Sequence, residues 1–538
     1  MIKVQPLEIW QEYQKIAEYL TNNNVYETVK INENFYDGKQ WEGLNAKNMP
    51  TPVFNILQRN GKFMVASIGS NDIAITMIPY SNTVDDIERM EPISKEIENI
   101  IEQARIKEAS KIVIRNAFVD GAGYMLQSFN PDYETYQDAK GRIENQIIDN
   151  TNMYFGNPYS NDIQGQPYII IALRQYIGQV KKEAKELGVS KDDIDNIMPD
   201  NEGTQVNDDS TNLCTVLLKF YKKKKKIKNV KVETDLEGNE IEIVEEKEIE
   251  TVWFTKCTQK VCLIKPVDLE YRRYPISCFG WDLKKNSYLY NSPMTAVIPN
   301  QIFINKCFAI AQMYGLQSAF PKIVFDSAKL EVQDFLDNQT FVGPSMDMWG
   351  QVLNFVKVPD FSNNIIELCL QTIQQTKECM GITDAALGQV RPDNTSAIIA
   401  LQEASSVPLE IQKQNFFVFW EDTVRNLIDI ATATYGVRQV LTEDNQVATV
   451  NFGGLKDLNF NLTVEIGNGA QFSEVAQINT LDKLVQAGYI TPDAYMEAIP
   501  SKYIPQKARL IKSYQEMLAQ QMPMQPRGST PADEVVPL

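Results

Sequence analysis

Four stretches of this chain carry residue types that do chemistry elsewhere. KDDIDNIMPDNEG (191–203) gathers carboxylates, the oxygen ligands that a divalent cation takes. With a metal, those at 192–195 would be the acid–base groups of a nucleic-acid hydrolase. RNGKF (59–63) carries the Gly-Lys pair of a phosphate loop, and Gly467-Asn468-Gly469 carries part of another after a strand-like run. Lys222–Lys226 is a run of cations that would suit nucleic-acid phosphates.

Each stretch fails a specific requirement. The carboxylates at 191–203 read as a solvated polar loop, and the glycine does not fall where a calcium loop needs it. Before RNGKF the required glycine position holds Ile56, and Phe63 replaces the hydroxyl residue. The GNG stretch lacks a third glycine and reads as a plain turn. The lysine run belongs to KFYKKKKKIKNVKVETDLEGNEIEIVEEKEIETVWF (219–254), which reads as two strands joined by a turn at Glu237-Gly238-Asn239. Its second arm is rich in glutamate, so the charges pair across the strands and the patch's field is cancelled.

The sequence contains no histidine, which excludes Ser-His-Asp and Cys-His catalysis and every His-ligated metal. The seven cysteines (Cys214, Cys257, Cys262, Cys278, Cys307, Cys369 and Cys379) include no CxxC pair and read as buried thiols of a reducing compartment. No nucleophile elbow and no zinc-type cluster is present. The sequence does not advertise an enzyme, and no cofactor or metal is implied.

The elements around these stretches define the organisation. The chain has 538 residues, 43% hydrophobic and 23% charged, which is ordinary for a folded protein with a sizeable core. Net charge is −18, unsuited to tight, non-specific gripping of a phosphate backbone. MIKVQPLEIWQEYQ has no apolar signal-peptide core, and no run of about 18 apolar residues marks a membrane span. Residues 5–35 read as one or two helices, Asp37-Gly38 as a turn, Phe54–Ile68 as a helix, and 68–81 as a turn and a strand ending at Pro79. The stretch 84–130 reads as helical on Ile93, Ile97, Ile100, Ile101, Ile112, Val113 and Phe118, and 130–275 as mixed.

From residue 297 the pattern changes. Residues 298–318 form a helix with Phe303, Cys307, Ile310 and Tyr314 on one stripe and Ile304, Phe308 and Ala311 beside it. A short segment follows with strand-like PKIVF and VLNFVKV. Residues 362–382 form a second helix, with an apolar stripe of Ile366, Cys369, Ile373 and Met380. Glu367, Gln371, Gln374 and Glu378 form its polar face, spaced four, three and four. Ser396 is placed to cap a long helix running to about Tyr435 and kinked by Pro408. Strand-like NFNLTVEI (459–466) precedes helices at 472–487 and after Pro492, and the last residues read as a disordered tail. The expected fold class is α+β, mainly α.

In this order the elements resemble the portal proteins of tailed bacteriophages. FYDGKQW (35–41) followed by PVFNIL (52–57) is similar to the opening of that family, where a helix ends in a Tyr-Gly-Gln-Trp turn and another begins with an Asn. SPMTAVIPNQIFINK (292–306), with Gln301 and Asn305, is similar to the segment ahead of the first stem helix. GITDAALGQV (381–390), Ser396 and Pro408 are similar to the second stem helix, tunnel loop and kinked wing helix. VEIGNG and GYITPDAYMEAIP (488–500) are similar to the approach to the crown. The hairpin at 213–254 matches no family signature.

The resemblance implies a ring-forming subunit, usually one of twelve, at one capsid vertex. The wing would comprise 1–296 and 396–471, the stem helices 297–318 and 362–382, the clip 319–361, the tunnel loop 383–395, the crown 472–520 and the tail 521–538. The ring would pass double-stranded DNA during packaging and ejection without sequence specificity. Its partners would be the terminase large subunit, head-tail adaptor and neck proteins, and the major capsid and scaffold proteins, with no membrane. It implies a place in the virion, after assembly in the host cytoplasm. Asp326, Lys329, Glu331 and Asp334 would be the clip residues that dock the motor, and Gln389, Arg391, Asp393 and Asn394 the tunnel-loop residues. Arg391 would make transient phosphate contacts or an inter-subunit salt bridge. Glu367, Gln371, Gln374 and Glu378 would line the channel, since a cation-free face repels phosphate. Periodicity defines a face and leaves its direction open between channel, neighbouring subunit and outer solvent. The competing readings are another virion structural protein, such as a head-tail adaptor, and a metal-dependent nucleic-acid enzyme.

Overall fold

The computed structural model describes residues 5–43, 49–69, 73–79, 84–134, 140–200, 212–234, 240–319, 323–325, 353–355, 363–382, 407–441, 447–457, 460–466, 481–491, 495, 510 and 513. The chain divides into two units, one of 1–70, 75–440 and 449–464, the other of 71–74, 441–448 and 465–538.

In the first unit the N-terminal stretch makes two helices. α1 (Pro6–Asn22) opens with proline in its first turn and buries Ile9, Ile16 and Leu20, seven and four residues apart. Asn24 takes a left-handed conformation that short amide side chains tolerate, and α2 (Val25–Tyr36) begins there. α3 (Ile56–Gly69) leads to strand β1 (Ile73–Pro79), as the sequence predicts. α4 (Val84–Gln103) and α5 (Ile106–Asp120) follow, joined through left-handed Arg105. Ile93, Ile97, Ile100, Ile101, Val113 and Phe118 are buried, whereas Ile112 is 50% exposed.

The helical reading of 84–130 is overturned beyond residue 120. Gly121 has φ +95°, a left-handed conformation that ends α5, and the chain continues as strand β2 (Ala122–Asn130). All of residues 122–127 are buried, as in a strand covered on both faces, and an unbroken apolar run of that kind cannot be told from a buried helix by periodicity. β2 lies at the centre of a three-stranded antiparallel sheet, between β3 (Arg142–Ile148) and a later strand, Ile276–Gly280.

The mixed region supplies a five-stranded antiparallel sheet. Its strands, in spatial order, are β4 (Met153–Phe155), β5 (Tyr168–Tyr176), β6 (Leu213–Thr234), β7 (Glu240–Cys257) and β8 (Cys262–Asp268). The charged hairpin is therefore real and longer than the sequence suggests, with Lys224 opposite Glu250 and Lys226 opposite Glu248. Its turn at 237–239 lies outside the described residues. Between β5 and β6 run α6 (Ile177–Glu186) and α7 (Lys191–Asp195). The carboxylates at 192–195 thus lie on a short helix and not in a loop. Ser190 caps it by accepting from the Asp193 N–H, and Asp192 and Asp193 complement the positive helix end.

Strand β9 (Ile276–Gly280) completes the three-stranded sheet, and β10 (Asp282–Leu283) pairs with β11 (Tyr290–Asn291). α8 (Pro293–Ala319) and the antiparallel pair β12 (Ile323–Phe325) and β13 (Leu353–Phe355) come next, then α9 (Asn363–Cys379). A single 3-10 turn, Val407–Leu409, contains Pro408 and leads into α10 (Glu410–Thr434); Ser396 lies outside the described residues. α10 packs its aromatic face, Phe416, Phe419 and Trp420, against the three-stranded sheet, with Phe416 against Phe279. A buried polar chain locks this contact. Asn426 donates to Gln127 (3.1 Å), Gln127 to Ser277 (2.8 Å) and Thr423 to Ser277 (3.0 Å). Asp429 accepts the backbone N–H groups of Arg272 and Arg273, and Asp422 pairs with the Arg273 guanidinium.

Strands β14 (Val437–Leu441), β15 (Val447–Asn451) and β16 (Phe460–Ile466) follow, the last where the sequence predicts one. In the second unit, residues 481–486 are helical and end at left-handed Gly488. There the Tyr489 N–H bonds back to the Leu484 carbonyl and the Gly488 N–H to that of Val485, a glycine-dependent helix stop. The GNG stretch at 467–469 and the tail at 521–538 lie outside the described residues.

Asp120, the last residue of α5, sits where the helix carbonyls point at it. Burial first, and then nearby Glu33, raise its carboxyl from 3.8 to about 7, and its Oδ1 has no hydrogen-bond partner. The fold therefore binds this proton more tightly than the unfolded chain does. Stability falls as pH rises from about 4 to about 7, and the full penalty of the ionised group is present above that window. Asp120→Asn should raise the thermal unfolding midpoint at about pH 8, with a gain that vanishes towards about pH 4. Equal gains at both pH values in a thermal scan would contradict this.

Candidate functional site

The motif residues of the N-terminal third and of α8 meet at one buried polar junction. α2 ends in a left-handed glycine stop. Gly38 has φ +87°, and the Lys39 N–H bonds back to the Asn34 carbonyl at 2.8 Å. The chain then folds over its own helix end, where Gln40 donates through Nε2 to the Phe35 carbonyl (2.9 Å). The Trp41 indole N–H donates to the Pro52 carbonyl (2.9 Å), closing the loop that leads to α3. Asn55 caps α3, its Oδ1 accepting the Gln58 N–H at 3.0 Å, while its Nδ2 donates to the Tyr36 carbonyl at 2.7 Å. One amide thus satisfies the end of α2 and the beginning of α3 together.

α8 enters this junction with two amides one turn apart. Gln301 donates to the Phe54 carbonyl (2.7 Å) and to Asn305 Oδ1 (3.0 Å), and its Oε1 accepts the Ile56 N–H (3.2 Å). Asn305 donates to Gln40 Oε1 at 2.6 Å. Gln40, Gln301 and Asn305 are 6%, 1% and 2% exposed. All the side chains in this junction are neutral, so it neither titrates nor offers a nucleophile. It fixes the base of α8 against the ends of two other helices. The sequence draws attention to Gln40, Asn55, Gln301 and Asn305 through the family resemblance, and only the structure shows that they are one network.

From that base α8 and α9 pair antiparallel. Asn300 donates to Thr376 (3.1 Å), and Ile304, Cys307 and Cys369 form a buried cluster one and two turns further out, flanked by Ile365, Ile373, Phe303 and Phe308. Left-handed Gly381 stops α9, with the Ile382 N–H on the Lys377 carbonyl. Burial raises the thiols of Cys307 and Cys369, the latter to about 11, so both are protonated and inert at neutral pH.

Two of the predicted stripe residues face the other way. Ile366 is 47% exposed and Ile310 48%. The packed stripe of α9 keeps the predicted Cys369, Ile373 and Met380, adds Thr376, and takes Ile365 where Ile366 is expected. Ile366, Leu368 and Leu370, with Ile310 and Leu316 on α8, are left as exposed apolar side chains. The predicted polar face is on the surface: Glu367, Gln371 and Glu378 are exposed, and Gln374 is half-buried and donates to Glu378 (3.1 Å). The remaining predicted site residues, Asp326, Lys329, Glu331 and Asp334 and then Gln389, Arg391, Asp393 and Asn394, lie outside the described residues.

The other candidate chemistry is accounted for within the fold. The lysine run faces its acidic partner strand, and Lys223 also lies over the Trp253 ring. No group of three or more His, Cys, Asp or Glu placed to hold a metal occurs among the described residues. None of the described helices is long and apolar enough to cross a membrane.

The Gln40–Asn305 contact predicts strong coupling, because either truncation leaves a buried amide without its partner. Gln40→Ala and Asn305→Ala should each cost about 1–3 kcal/mol, and the double variant should cost less than their sum by about 0.5–3 kcal/mol. Additive losses in denaturant titrations would show that the two amides do not act as a unit.

A family model described as Phage P22-like portal protein matches residues 13–533 of the chain. No curated protein matches it.

Proposed function

The chain belongs to the P22-like phage portal protein family, and from that premise we propose that it is the subunit of a ring that conducts DNA through one vertex of a phage capsid. The observation that carries this reading is the α8–α9 pair. It is anchored at one end by a rigid polar junction, and it exposes both apolar side chains and a cation-free polar face. A lone subunit leaves the apolar side chains in water, and side-by-side packing of identical helix pairs covers them. The polar face, Glu367, Gln371, Gln374 and Glu378, then lines the channel. Carboxylates and neutral amides there repel or ignore phosphate, so duplex DNA slides without being held.

On this reading twelve subunits close the ring, and the segment between α8 and α9 is the clip that docks the terminase large subunit and later the neck proteins. Residues 383–395 form the tunnel loop, and 472–520 form the crown. Capsid and scaffold proteins hold the ring at its vertex. The family match over nearly the whole chain favours a portal over a shorter head-tail adaptor. The capped helix that carries the carboxylates at 192–195 favours a structural role over a nuclease.

Glu367→Lys with Glu378→Lys tests the channel face. Rings should assemble as in the wild type, while the DNA packaged per particle falls several-fold, because lysines facing the duplex hold phosphate. Normal packaging through intact mutant rings would place this face away from the channel.

A further inference from the structure

The edges of the charged hairpin are open. β5 covers β6 only as far as the Tyr168–Tyr221 pair. β8 and the chain just after it cover β7 only from Val252 onward, through the Trp253–Asp268 pair and the bonds of Val252 with Leu269 and Tyr271. Beyond those points thirteen register pairs, from Lys222 opposite Val252 to Thr234 opposite Glu240, form a two-stranded ribbon. Among the described residues no other strand pairs with either of its edges. An isolated two-stranded ribbon is marginal in water, and an open strand edge is a template for another strand.

The two edges differ in charge. From 222 to 231, β6 carries seven lysines and no acid, while β7 from 240 to 250 carries six glutamates and one lysine. Lys224, Lys225, Lys226, Glu248 and Glu250 are exposed. With eight lysines and nine acids between residues 222 and 252, the ribbon is nearly neutral in sum and polarised across its width, a poor fit to a polyanion and a good fit to another ribbon of the same kind.

Symmetry selects the arrangement. A rotation about a ring axis carries each ribbon onto its neighbour without turning it over, so the β6 edge of one meets the β7 edge of the next. A two-fold axis would bring like edges together, lysine against lysine. Matched edges continue the antiparallel order, and the sheet extends from subunit to subunit. We propose that the β6–β7 ribbon is an inter-subunit clasp, its lysine edge seated beside the glutamate edge of the adjacent copy of this chain. It biases assembly towards a closed ring and against two-fold pairs. This rests on the ring assembly proposed above.

The test exchanges the edges. Lys224→Glu, Lys226→Glu and Lys228→Glu are combined with Glu246→Lys, Glu248→Lys and Glu250→Lys, which keeps every cross-strand pair inside the hairpin with its sign reversed. Edge-swapped subunits should form rings with themselves. Mixed with wild type and reassembled, they should sort into separate rings, because a mixed contact sets the exchanged positions of one edge against like charge on the other. Native mass spectrometry with the swapped subunit nitrogen-15 labelled reads the loss of hybrids. Random hybrids would overturn the clasp and leave the ring reading standing, whereas a wild-type chain that forms no ring would remove both.

A second variant covers failure of the swapped chain to fold. Residues 224–250 are replaced by Asn-Gly, joining the opposed residues Lys223 and Thr251. Such rings should come apart at roughly tenfold higher protein concentration than wild type and lose most of the salt dependence of assembly. Unchanged dissociation and salt response would overturn the proposal, including where the loss appears in DNA retention instead.

Discussion

Buried helix ends must have their polar groups satisfied, and in this chain that requirement falls on four neutral amides. The carbonyls that end α2 and the N–H groups that begin α3 are partly buried, and Gln40, Asn55 and Gln301 are their partners, held in turn by Asn305. A satisfied hydrogen bond contributes little, about 1 kcal/mol, but an orphaned buried group costs more. The network therefore acts chiefly through the arrangements it forbids. α8 cannot slide or turn at its base without stranding several groups at once. The direction of α8, and through Asn300 and the Ile304–Cys307–Cys369 cluster that of α9, follows from this junction. Neutral amides hold it independently of pH and salt, as charged groups would not.

Much of this is legible in the sequence. Gly38, Asn55, Gln301 and Asn305 stand out as motif residues, and the two helices around 298–318 and 362–382 and the opposed charged strands follow from periodicity and charge. Three features were not legible, each for a physical reason. β2 is covered on both faces, so its sequence has no alternation and merges with the helix before it. Periodicity puts Ile366 on the stripe of α9 where Ile365 packs, because apolar residues stand on both sides of Cys369 and a single chain's periodicity cannot say which side meets its own core. Such ambiguity belongs to a helix with apolar neighbours on two faces. The carboxylates at 192–195 read as loop because a five-residue helix is too short to show a period, and only the Ser190 cap marks it.

Electrostatics ties the outer features to the same account. A net charge of −18 disfavours tight, non-specific retention of DNA, and on the lysine-richest strand Lys224, Lys226 and Lys228 are matched across the hairpin by glutamates. Buried ionisable groups serve the fold: Asp429 holds backbone N–H groups, Asp422 pairs with Arg273, and the thiols of Cys307 and Cys369 stay protonated. On the proposed reading, the exposed apolar side chains of α8 and α9 and the oppositely charged ribbon edges are where copies of the same chain meet.

Negative-stain microscopy of the purified chain, with mass photometry beside it, decides whether the chain assembles into rings. Closed rings with a central hole, of one uniform mass near that of twelve subunits, are the expected result. A compact monomer that persists at micromolar concentration and moderate salt, with scaffold and capsid proteins added, would contradict it. Magnesium-dependent cleavage of DNA by that monomer would point to the enzyme reading instead.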